Sequence, residues 1–132
     1  MRPEPLVFVD RGDGPADRVL AMRVEVAAVR EATDEVVKAM GRLLPQMSSS
    51  ARRVDVQALS RMVSWDGITL LAARYDGEIV GMLTLVMFPI PSGLRARIED
   101  VVVDESVRGR GVGGALTLEA VRLARAAGRP DR

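Results

Sequence analysis

The chain has no cysteine and no histidine. The first absence excludes disulfides and thiolate metal sites, and the second removes the commonest metal ligand and the commonest general base at neutral pH. No metal site is expected. Aromatics are scarce, with one tryptophan, one tyrosine and two phenylalanines, and Lys38 is the only lysine, so arginine carries nearly all the positive charge. The formal net charge of +1 argues against a general nucleic-acid binder. No apolar run approaches the ~20 residues that span a bilayer. The start, Met1-Arg2-Pro3-Glu4-Pro5, lacks the layout of a signal peptide. A soluble cytoplasmic protein without a membrane partner is the expectation.

With 132 residues, 48% of them hydrophobic, the chain reads as one domain with an ordinary core. Residues 1–21 read as an N-terminal extension with a strand-like run, Leu6-Val7-Phe8-Val9, and a turn-rich stretch, Asp10 to Pro15. Residues 22–132 read as the domain proper. From Met22 the alternation suits a strand to about Glu31, although Val19, Met22, Val26 and Val29 also keep helical spacing. Thr33 and Asp34 are good helix caps, and Val36, Val37, Met40, Leu43 and Leu44 give a helix that Pro45 is expected to end. Val56, Leu59, Met62 and Val63 mark a second helix, closed at Trp65-Asp66-Gly67.

Two strands follow, Thr69 to Tyr75 and Glu78 to Phe88, joined by an Asp76-Gly77 hairpin turn. Pro89 to Gly93 connects to a strand from Arg95 to Val103, and a glycine-rich turn then opens a final helix beginning near Ala115. The order is β-α-α-β-β-β-loop-α. It implies an α/β chain of the α+β type, with a mixed, mainly antiparallel sheet flanked by helices.

The turn Arg108-Gly109-Arg110-Gly111-Val112-Gly113-Gly114 carries the most chemistry. A strand feeding a glycine turn feeding a helix offers free backbone N–H groups at the positive end of a helix dipole, an arrangement that binds phosphate. From Ser106 onward six arginines face two carboxylates, so the field around the turn is positive. Arg108 and Arg110 lie within the turn itself, whereas Arg122, Arg125 and Arg129 fit a solvated helix face equally well. Gly109-x-Gly111-x-x-Gly114 matches the dinucleotide fingerprint formally. That fold, however, needs a parallel strand ending in an acid about 20 residues further on, and a hairpin does not lead into it. A P-loop needs Lys-Ser/Thr after its last glycine, where this chain has Ala115-Leu116.

Arg108-x-x-Gly111-x-Gly113 resembles the Arg/Gln-x-x-Gly-x-Gly/Ala signature of the GCN5-related N-acetyltransferase (GNAT) superfamily. Val29 to Thr33 resembles that family's first strand and helix entry, Asp76 to Met82 its central hairpin, and Ile98 to Asp104 its fourth strand. The resemblance runs from about Met22 to Gly128. It implies a GNAT-like acyl-CoA N-acyltransferase fold, acetyl-CoA as co-substrate, and an amine acceptor, either a small molecule or a protein. By the same resemblance, backbone amides from Gly109 to Gly114 hold the coenzyme pyrophosphate, with Arg108, Arg110 and Val112 in that turn. Main-chain groups of Val101 and Val103 then pair with the pantetheine arm. An N–H in that strand would polarise the thioester carbonyl.

Transfer to an amine requires a base that accepts its proton. Glu99 and Asp100 are carboxylates in an otherwise apolar strand, where desolvation favours the protonated form. Strict alternation puts them on opposite faces, with Glu99 sharing a face with Val101 and Val103. Glu99 is therefore preferred as the general base. Pairing of either acid with Arg95 or Arg97 is the purely structural reading. Tyr75, the sole tyrosine, reads as packing and not as an acid. Pro89 to Gly93 and Ser48 to Arg53 are expected to border the acceptor.

Members of the family usually continue past this helix with a fifth strand, a helix and a hairpin. The domain is therefore expected to be C-terminally incomplete, leaving the fourth strand as an apolar edge. A homodimer in which each copy covers the other's edge follows as an expectation, with Leu6 to Val9 as an alternative cover. The activity expected is acetyl transfer from acetyl-CoA to a primary amine; the alternative is a catalytically silent acyl-CoA-binding or interaction module.

Overall fold

A computed structural model of the protein describes residues 24–128. The N-terminal extension, the Leu6 to Val9 run, Arg129 and Arg132 lie outside the described residues. Seven main elements occur in the expected order: β1 (Val24–Ala28), α1 (Asp34–Met47), α2 (Val56–Ser64), β2 (Ile68–Tyr75), β3 (Glu78–Ile90), β4 (Gly93–Val103) and α3 (Val112–Ala127). The strands form one sheet in the order β1-β2-β3-β4. Every pairing is antiparallel, so among the described residues the sheet is not mixed. No helix among them is long and apolar enough to cross a membrane.

β2 explains how the layers are built. Its run Leu70-Leu71-Ala72-Ala73 is apolar throughout because both faces of the strand are covered. Leu71 and Ala73 join Val24, Val26, Leu83, Leu85 and the α3 residues Ala115, Leu116 and Ala120 in one packed cluster. Leu70 and Ala72 join Ile79, Met82, Val102, α2 Leu59 and α1 Val36, Ala39, Met40 and Leu43 in another. The sheet is thus the middle layer, with α3 on one face and α1 and α2 on the other. Each fully buried leucine contributes roughly 1.5–3 kcal/mol.

Local chemistry sets most boundaries as expected. The Thr33 side chain accepts a hydrogen bond from the Val36 N–H, and Asp34 and Glu35 lie in the first turn, where negative charge suits the helix dipole. Asp55 caps α2 by accepting from the Ala58 N–H at 2.8 Å. Asp76 and Gly77 both take positive φ, 52° and 84°, as a two-residue type I′ hairpin requires. Several boundaries differ. β3 runs on to Ile90, β4 starts at Gly93 and α3 at Val112, each two or three residues beyond the expected bound, so the Pro89 to Gly93 connection is shorter than expected. Pro45 does not end α1, which runs on to Met47. In the last turn a proline forfeits a single backbone bond, the one its missing N–H would make to the Gly41 carbonyl, and few helical residues remain beyond it. The first strand also stops at Ala28 and not near Glu31, although the Val29 N–H still bonds the Leu70 carbonyl at 2.8 Å.

Candidate functional site

The glycine turn sits where β4 ends and α3 begins. Gly111 is the N-cap of α3 with φ 90° and ψ 4°, a left-handed conformation that glycine adopts without a Cβ penalty. It brings no capping side chain, and the first turn of α3 holds no acidic residue. The first N–H groups of α3, from Val112 to Gly114, are therefore left for an external acceptor. They open on a hollow of about 240 Å³ lined by Val103, Arg108, Gly109, Gly111, Val112, Gly113 and Gly114. Seven of the nine residues expected to bind the coenzyme are brought together in this way. The Val112 side chain is buried in the core, so only its backbone faces the hollow. Arg110 is exposed on the turn and does not line the hollow, and Val101 lies further back along β4.

The segment that leads into the turn is tied down on several sides. Arg108 Nε donates to the Val103 carbonyl at 3.1 Å, folding that side chain back over the strand end. The Asp104 N–H donates to the Val80 carbonyl at 2.7 Å, and the Glu105 N–H donates to Gln46 Oε1 at 2.9 Å. Arg42 Nη2 donates to the Ile79 carbonyl at 2.7 Å, while its Nε stands 3.8 Å from Asp104 Oδ2. The Asp104 carboxylate accepts from the Ser106 N–H and hydroxyl, both at 3.0 Å, and so starts a 3-10 turn over Glu105–Val107. The Ser106 N–H above all holds the Asp104 carboxyl below the usual carboxylate range. Partial desolvation opposes this, and the Ser106 hydroxyl, Arg42 and Gln46 reinforce it.

β4 departs from regular geometry at the residues of greatest interest. Its pairing with β3 runs Glu99 to Thr84 and then Val102 to Met82, so Leu83 faces two residues, Asp100 and Val101. Asp100 has φ 49°, marking a β-bulge. The extra residue breaks the alternation on which the expected placement of Glu99 rested. Opposed residues share a face, so Glu99 and Val102 lie on the α1/α2 side, whereas Val103 packs toward the α3 side. Glu99 does not share a face with Val103. Nor is it desolvated: its side chain keeps 46% of its surface exposed and pairs with Arg97 at 2.8 Å. Tyr75 is half-buried against the α3-side cluster, as its packing role implies.

The sequence reading missed Gly81. A Cβ there would stand 3.0 Å from Val112 Cγ1, 3.2 Å from Leu116 Cδ1 and 3.3 Å from the Val102 carbonyl oxygen. Gly81 therefore lets the start of α3 lie directly on the sheet, which sets the position of the glycine turn. A lone glycine within a strand is the signal for such a close approach. Arg42 and Gln46 were missed as well; nothing in the spacing of a helix ties them to a turn some sixty residues later.

The sequence profile of the acetyltransferase (GNAT) family matches residues 38–132, which include the hairpin, β4, the glycine turn and α3. The chain belongs to the GNAT family. Solved structures agree on the fold of this GNAT chain. A transcriptional regulator from Bacillus halodurans C-125 is 27% identical, with a TM-score of 0.69 over 81% of this chain and 77% of that one. An acetyltransferase from Trypanosoma brucei is also 27% identical, with a TM-score of 0.65 over 81% and 78%. An aminoglycoside acetyltransferase from an uncultured soil metagenomic sample, solved with sisomicin, is 18% identical. Its TM-score is 0.69 over 80% and 72%, and at that identity the likeness concerns the fold alone. None of the curated proteins matches the chain in sequence. Acetyltransferase chemistry is thus the activity class of this family and fold. No group of three or more potential metal ligands occurs among the described residues.

Proposed function

We propose that this GNAT chain transfers an acetyl group from acetyl-CoA to a primary amine in the cytoplasm. The observation that carries the reading is the uncapped, glycine-built amino end of α3 lying against the end of the bulged strand β4. Acetyl-CoA, when bound, supplies the activated acyl group. Amides of the turn hold its pyrophosphate, aided by the helix dipole and by the positive charge of Arg108 and Arg110. Main-chain groups of Val101 and Val103 bind the pantetheine arm. The bulge takes Asp100 and Val101 out of the regular ladder, so an N–H there is available to polarise the thioester carbonyl. Glu99, beside the bulge on the α1/α2 face, takes the proton that the amine loses as its nitrogen attacks the carbonyl carbon and the carbon–sulfur bond breaks.

One observation favours a second reading. Arg97 already engages the Glu99 carboxylate at 2.8 Å, as it would in a module that binds acyl-CoA without turning it over. Thiol release from acetyl-CoA over an amine panel, with CoA affinity measured in parallel, separates the two. Glu99→Gln is expected to lower kcat by about 10²–10⁴ and leave CoA affinity unchanged. Full turnover in that variant removes Glu99 as base, and CoA binding with no thiol release by the wild type establishes the binding-only reading. We also place a homodimer in this function, with the outer strand β4 as the contact. Leu94 and Ile98 are exposed along its first part, away from the residues proposed to bind pantetheine, and an unpaired apolar edge favours pairing with a second chain.

A further inference from the structure

The outer side of α1 and the loop that follows it enclose a cleft of about 580 Å³, within the range of small-molecule sites. Its charged lining consists of Lys38, Arg42, Arg52 and Arg53, with no carboxylate among the lining residues. The side chains of Lys38, Arg52 and Arg53 make no hydrogen bond or ion pair among the described residues. Arg42 is anchored to the Ile79 carbonyl and Asp104. The remaining lining is apolar: Val37, Met40, Leu44 and Val54 are wholly or partly buried.

Three unpaired cations converging on one cleft repel one another, and an anion placed among them removes that repulsion. Arginine forks also bind carboxylate and phosphate oxygens in pairs. The cleft lies on the helix that packs against β3 and β4, and its lining residue Met40 belongs to the same core cluster as Met82 and Val102, the residue that follows the bulge. It also contains part of the Ser48 to Arg53 loop expected to border the acceptor.

We infer that the acceptor is an amine that also carries a phosphate or carboxylate, and that this cleft binds the anionic group. The inference rests on the acetyl-transfer reading above and names its substrate class. It also implies that this chain discriminates against polycationic amines such as sisomicin, which the four cations repel.

The test uses matched pairs that differ only in the acid: O-phosphoethanolamine against ethanolamine, and 6-aminohexanoate against hexylamine. Calorimetric affinity for the full chain is measured without coenzyme, and KM is measured wherever thiol release is detectable. The acidic member of at least one pair is expected to bind about tenfold or more tightly, with the preference falling as salt rises. The pair that shows it tells phosphate from carboxylate. Arg52→Gln combined with Arg53→Gln should bring the ratio close to one while CoA affinity, the fold control, is unchanged. Equal binding within both pairs overturns the inference. So does a preference that survives the double variant, or sisomicin binding more tightly than every acidic amine. Because the calorimetric arm needs no turnover, a chain that binds acidic amines but releases no thiol would refute the transferase reading and leave the anion site standing.

Discussion

Replacing Gly81 with alanine tests whether the seat of α3 sets the geometry of the glycine turn. The new methyl would lie 3.0 Å from Val112 Cγ1 and 3.2 Å from Leu116 Cδ1, both fully buried side chains of α3, and 3.3 Å from a main-chain oxygen. None of these can swing into solvent, so the helix must move outward by a few tenths of an ångström. Overpacking of this kind costs about 1–3 kcal/mol. Alanine recovers about 0.4–1 kcal/mol by restricting the unfolded chain. A net loss of about 0–2.6 kcal/mol, centred on ~1.3, follows, read as a lower urea midpoint at unchanged slope. Since Val112 is the first residue of α3, the displacement also reaches the amides proposed to hold pyrophosphate, and CoA affinity should fall with stability. Val112→Ala removes the closest contact, so in the double variant the two changes should cost less than their sum by about 0.5–1 kcal/mol. A stable Gly81→Ala protein, or strict additivity with Val112→Ala, would refute the argument that this glycine positions the turn.

Two further outcomes follow from the same structure. The Asp104 carboxyl titrates below its unfolded value, so its contribution to stability is complete above the ordinary aspartate pKa of ~3.9 and is lost as pH falls through the lower, folded value. Asp104→Asn should therefore flatten the acid limb of stability against pH in urea titrations, and an unchanged acid limb would exclude Asp104 as its source. Ile98→Lys puts a charge on the exposed edge of β4, and it should convert a sedimenting dimer to monomer and remove the concentration dependence of the urea midpoint. If the wild type already sediments as a strict monomer, the edge-to-edge dimer is ruled out.

The parts of the fold legible in the sequence were those governed by local chemistry. Asp76-Gly77 announces a turn because few residue pairs tolerate two positive φ angles. Thr33 announces a helix start because its side chain satisfies the N–H group three residues on. The glycine turn was legible for the same reason. The bulge was not: the adjacent carboxylates Glu99 and Asp100 interrupt the apolar-polar alternation, but two neighbouring acids also fit a strand with both faces partly exposed, and the residue with positive φ is an aspartate, so no glycine marks it. That one hidden residue put Glu99 on the wrong face. Pro45 misled in the other direction, since its cost depends on how many turns of helix remain, a property of the whole helix. The basic cleft is non-local in the same sense, joining Lys38 and Arg42 of a helix to Arg52 and Arg53 of a loop.

The tethers just ahead of the glycine turn bear on how fast a ligand can bind. Bonds to β3 and α1, together with the Asp104–Ser106 turn, hold the segment before α3 from several directions. The ordering of that backbone is therefore complete once the chain has folded, and capture of a phosphate group involves no further loop closure. Association should be a single step that scales with ligand concentration and slows with ionic strength, as charge-steered encounters do. A plateau in the observed rate at high CoA would instead reveal a rearrangement that these tethers leave no room for.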